Sequence, residues 1–83
     1  LAQNYPNPFN PTTSIPYTLK SKGHVRLTVY DITGREVGVL VNGFQTAGTH
    51  QVTFNASSLS SGIYFYKLQA ADNVFTKKMM VLK

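Results

Sequence analysis

The 83-residue chain predicts an all-β fold, an antiparallel β-sandwich of about seven strands. Three observations carry this. Apolar and polar residues alternate with period two in segment after segment. Turn-forming residues return every ~8–12 positions. No segment sustains a 3.6-residue period, and strong helix formers are scarce.

The first element is the stretch QNYPNPFNPTTSI. Together with Pro16 it holds all four prolines, Pro6, Pro8 and Pro11 being the others. Proline fixes φ near −65° and pushes its predecessor to extended geometry. Residues 1–13 therefore read as a stiff, proline-rich entry strap with little entropy to lose on docking. Tyr5 and Phe9 are its expected anchors, each ring being worth about 1.5–3 kcal/mol if buried. SIPYTL follows as a strand with Ile15, Tyr17 and Leu19 on one face. Pro16 lacks a donor and suits an edge strand. HVRLTVYD places Val25, Leu27 and Val29 opposite Arg26 and Thr28. DITGRE is a short hairpin loop in which Gly34 supplies positive φ. EVGVLV is the next strand. Asn42-Gly43 then reads as turn chemistry, with a short seventh strand near Phe44–Thr46.

THQVTF sets His50, Val52 and Phe54 together. The polar connection NASSLSSG is long enough to cross between sheets, and its Leu59 reads as a plug for one end of the core. GIYFYKLQA puts Tyr64, Tyr66 and Leu68 inward, which leaves Tyr30 and Phe65 as candidate surface aromatics. Asp72-Asn73 is a tight turn before the last strand, VFTKKMMVLK.

This length implies one domain, residues 1–83, with a single modest core and a stability of roughly 4–12 kcal/mol. The absence of cysteine excludes disulfides, a thiolate nucleophile and a cysteine zinc site. No apolar run approaches the ~18–20 residues of a membrane-spanning helix. The chain does not start with Met or with a secretory leader, so it is expected to be a piece of a larger polypeptide. A net charge of +5 gives either solubility or weak affinity for anionic surfaces.

Catalytic chemistry finds no support. Asp31 and Glu36 flank one turn and Asp72 sits in another, so turn geometry explains them better than a paired-carboxylate site. The serines of SSLSS lack a nucleophile elbow, and no phosphate-binding glycine loop is present. His24 and His50 stand on separate strands without further ligands, so no metal or cofactor is expected. The cations Arg26, Arg35, Lys20, Lys22 and Lys67 are scattered, so nucleic acid is not an expected partner. Lys77, Lys78 and Lys83 form the most concentrated charged set. They read either as the lysines of a solvated edge strand or as a recognition patch.

QNYPNPFNPTTSI, VRLTVYDITGREVGVLV, AGTHQVTF, LSSGIYFYKLQA and TKKMMVLK together resemble, in order and spacing, the type IX secretion C-terminal sorting domain (type A) of Bacteroidetes and related bacteria. The resemblance covers essentially the whole chain. It implies an immunoglobulin-like sandwich, similar to that of flagellar hook-capping proteins, at the end of a secreted cargo protein. It also implies an outer-membrane translocon as partner and, in members that become surface-anchored, a sortase-like cysteine peptidase that removes the domain. Anionic lipopolysaccharide is the implied acceptor of the cargo. On this resemblance Lys77, Lys78, Met79, Val81 and Lys83 are the expected recognised end, read at the chain terminus, and the strap is structural. Two positions depart from the family's habit: His50, where an aromatic or large apolar residue is usual, and Phe54, where Trp is common. An immunoglobulin-like carbohydrate-binding or spacer module beside a glycosidase is the alternative, and a self-associating assembly domain is a third reading.

Overall fold

A computed structural model describes residues 1–8, 11–71 and 73–82. Phe9, Asp72 and Lys83, singled out above, lie outside the described residues. Six strands are present among the described residues: β1 (Thr12–Leu19), β2 (Gly23–Tyr30), β3 (Glu36–Gln45), β4 (Gly48–Asn55), β5 (Gly62–Ala70) and β6 (Asn73–Val81). β1 pairs with β4 in one sheet, and the second sheet runs β3-β2-β5-β6, with every pairing antiparallel. The strap joins the free edge of β1. The Tyr5 N–H donates to the Ser14 carbonyl (2.9 Å) and the Ser14 N–H to the Tyr5 carbonyl (2.8 Å). With that bridge as a vestigial first strand, strap-β1-β4 packed over β3-β2-β5-β6 is an immunoglobulin-like arrangement.

The alternation read in the sequence builds the core. β1 contributes Ile15, Tyr17 and Leu19, β2 Val25, Leu27 and Val29, and β5 Tyr64, Tyr66 and Leu68. Met79 and Val81 of β6, Phe54 of β4 and Ala56 just after it complete the core, with Leu59 packed against its end from the loop. Tyr64 closes the same end, its phenol donating to the Ser60 carbonyl at 2.9 Å. This is the corner tyrosine of immunoglobulin-like domains, a ring in the core whose hydroxyl fixes the loop just upstream.

The strand count is six rather than seven, because the segment near Phe44–Thr46 is not separate. Asn42 and Gly43 do not turn; they pair with Arg26 and Val25 inside β3. Register shifts opposite Leu27/Thr28 and Val29/Tyr30 insert extra residues into β3. Leu40 and Val41 can then both pack on the core, which explains why EVGVLV does not alternate. The turn before β3 is organised by Asp31. Its carboxylate accepts from the Thr33 N–H and hydroxyl and from the Arg35 N–H, and Gly34 takes φ +90°. The Thr33 hydroxyl is the main cause that holds the Asp31 carboxyl below the usual carboxylate range; desolvation opposes it, and the Arg35 and Thr33 amides and the Arg35 charge add to the lowering.

Candidate functional site: a terminal strand held by the strap

β6 is the edge strand of the four-stranded sheet, and among the described strands β5 alone pairs with it. Its alternation sorts the residues expected to be recognised. Met79 and Val81 are each 1% exposed and anchor the strand in the core. Lys77 is half-buried on that same side, whereas Lys78 and Met80 are exposed on the other. The strand thus brings Met79 and Val81 together inside and separates the two lysines onto opposite faces.

The strap reaches the free edge of this strand. The Gln3 side-chain amide donates to the Lys78 carbonyl (2.8 Å), and the Met80 N–H donates to the Asn7 side-chain oxygen (2.9 Å). Two amide side chains therefore satisfy edge groups that a neighbouring strand would otherwise take. A second clamp comes from below. The Tyr66 hydroxyl donates to the Ala2 carbonyl (2.8 Å) and accepts from the Asn4 N–H (2.9 Å). Burial pushes the Tyr66 phenol up from its ordinary pKa, opposed by the Asn4 amide, which favours phenolate. The Asn4 side chain, 2% exposed with its residue, donates to the Thr13 hydroxyl (3.0 Å) and the Pro6 carbonyl (3.2 Å). The Thr13 hydroxyl in turn donates to the Pro6 carbonyl at 2.9 Å.

The expectation that the Tyr5 ring anchors the strap is corrected here. Tyr5 is 80% exposed and holds β1 only through its backbone. A proline-rich segment has few N–H groups to build a ladder, so amide side chains take over that role. The missed signal was the set Gln3, Asn4 and Asn7, whose amides carry both donors and acceptors.

The remaining candidates are placed as follows. Tyr30 and Phe65 are half-exposed neighbours across the outer face of the four-stranded sheet, with the Lys67 ammonium 5.0 Å from the Tyr30 ring centre. Tyr64 and Tyr66 are core residues. His50 is half-buried, stacks on Tyr17 at 5.3 Å and lies 2.7 Å from the Thr46 carbonyl through Nε2. Glu36 pairs with Arg26 at 2.9 Å and Asp31 with Arg35 at 3.3 Å. Among the described residues no group of three or more His, Asp or Glu could hold a metal ion. No helix among them is long and apolar enough to cross a membrane.

Comparison with known proteins supplies the context for this arrangement. The secretion system C-terminal sorting domain family matches the chain over residues 3–82, from the strap to the last described residue. No curated protein and no solved structure matches it. The family is a signal family rather than a catalytic one, and it marks proteins exported across the outer membrane to the cell surface or the medium. A match that runs through both the strap and the strand it holds assigns the chain: it belongs to the family of secretion system C-terminal sorting domains, the signals of type IX secretion.

Proposed function

We propose that this chain directs an attached cargo protein from the periplasm through the outer-membrane translocon, and that β6 is the element recognised. Lys77, Lys78 and Lys83 supply charge, while Met79 and Val81 fix the strand so that its outward side is presented in one geometry. A pre-ordered strand loses little entropy on binding. A sortase-like cysteine peptidase then removes the domain, and anionic lipopolysaccharide is the acceptor for cargo that stays on the surface. The observation that carries this reading is the family match across residues 3–82. The strap contacts at Lys78 and Met80 support it, because they order the outer edge of the terminal strand.

The test is a periplasm-directed reporter carrying this chain at its C-terminus, in a host with a type IX system. The expected result is reporter in the medium or on the surface with the whole chain, and periplasmic retention once residues 77–83 are removed. Equal export of both forms would refute the reading.

A further inference from the structure

The two outward faces of the sandwich differ in chemistry. On the β1-β4 sheet, Thr12, Ser14 and Thr18 stand opposite Asn55, Thr53 and Thr49. That face is short, polar and uncharged. The outer face of the four-stranded sheet is aromatic, apolar and cationic. Cross-strand pairing sets Lys78 beside Phe65 and Phe65 beside Tyr30, and Lys67 lies over the Tyr30 ring. Met80 and Val74 add apolar surface there, 41% and 58% exposed. Tyr30, Phe65, Lys67 and Thr76 line one depression of this face, and Asp31, Ile32 and Gly34 of the β2–β3 turn close its end.

Charge on this face is unbalanced. Glu36 is bound by Arg26, and the Asp31 carboxylate is occupied by Thr33 and Arg35. Lys67 and Lys78 have no carboxylate partner among the described residues. Aromatic residues and methionine are enriched in protein–protein interfaces, and complementary charge sets the approach and register of the partner.

From this asymmetry we infer that the outer face of the four-stranded sheet, centred on Phe65, Lys67, Lys78 and Met80, docks an acidic, partly apolar protein surface of the export machinery. This rests on the sorting reading and widens it: recognition extends from β6 onto β5 and β2 and uses Lys78 rather than Lys77. A polysaccharide would use the rings and the lysines but would leave Met80 and Val74 without a role.

The same export fusion tests the docking face through charge-matched pairs. Lys67→Glu with Lys78→Glu reverses two charges on the face. Lys20→Glu with Lys22→Glu makes the same net change at the exposed β1–β2 turn. The expected result is export reduced roughly tenfold or more by the first pair and changed less than about twofold by the second, since charges at an interface govern encounter with the partner. Melting of each purified chain checks that it folds. The milder pair Lys67→Gln with Lys78→Gln, expected to be intermediate, decides the matter if the glutamate pair does not fold. Normal export by a folded face variant overturns the inference, as does an equal loss from the control pair. If the face pair exports normally but loses retention on polygalacturonate, the face serves an acidic glycan and the protein docking is wrong. A wild-type fusion that stays in the periplasm overturns the sorting reading, and the docking with it.

Discussion

Tyr66→Phe removes one oxygen from the middle of the molecule and should release the strap. The ring stays, so no cavity is created in the core. Two hydrogen bonds are lost, the donation to the Ala2 carbonyl and the acceptance from the Asn4 N–H. They are not equivalent. Ala2 is exposed, so its carbonyl turns to water and the loss is the ordinary net value of about 0.5–1.5 kcal/mol. Asn4 is 2% exposed, so its N–H is left unsatisfied at a cost of about 1–3 kcal/mol. The expected total is about 1.5–4.5 kcal/mol, a large share of the ~4–12 kcal/mol available to a domain of this length. Urea unfolding followed by circular dichroism should show a lower midpoint with an unchanged slope. The melting temperature should fall by roughly 6–36 °C, at about 4–8 °C per kcal/mol. Hydrogen exchange should show the Asn4 and Tyr5 amides losing protection before the β2 and β5 amides. A stability change below about 0.5 kcal/mol, against the hydrogen-bond values above, would refute the reasoning. So would an Asn4 amide that stays fully protected.

The other predictions concern the same two chain ends and the turn. Asn7→Ala should speed exchange of the Met80 amide about 2- to 10-fold, the equivalent of about 0.5–1.5 kcal/mol for one hydrogen bond, while leaving the β2 amides unchanged. Met79→Ala should cost about 2–5 kcal/mol in urea unfolding, because it empties a fully buried site, and Met80→Ala less than about 0.5 kcal/mol. Burial raises the Tyr17 and Tyr66 phenols above their ordinary pKa, so the folded state holds these protons more tightly than the unfolded chain. Stability should be full below about pH 10 and fall as pH rises through the folded values, and Tyr66→Phe should flatten that fall. The Asp31 carboxyl is lowered by its hydrogen bonds, so its contribution should be present above the unfolded carboxylate range and disappear as pH drops through the folded value. Asp31→Ala should abolish that acid-side component in a pH series of melting curves.

Much of this architecture is legible in the chain, since period-two patterning depends only on which residues face inward. Ile15, Tyr17 and Leu19, Val25, Leu27 and Val29, and Tyr64, Tyr66 and Leu68 all fall on the core face that alternation assigns them. Alternation fails where register shifts interrupt it. EVGVLV has consecutive inward residues, and Asn42-Gly43 is a turn signal overridden by pairing with β2. The strap shows a different limit. Its stiffness follows from its prolines, but its attachment depends on contacts 62 to 75 positions away in the chain, at Tyr66, Lys78 and Met80. No local pattern reports such contacts. The tyrosine that looked like the anchor points outward, and the amides beside it make the bonds. The lysines of β6 were visible as a cluster. The separation of Lys77 and Lys78 onto opposite faces follows from the same alternation.

On the proposed reading, a folded sandwich offers the outward side of β6 to the export machinery. A photo-crosslinking residue introduced at Met80, and in a separate protein at Thr53 on the opposite sheet, tests this during export. A covalent adduct with an outer-membrane component of the secretion system from position 80 and not from position 53 is the predicted result. Equal adducts from both positions, or an adduct from position 53 alone, would contradict it.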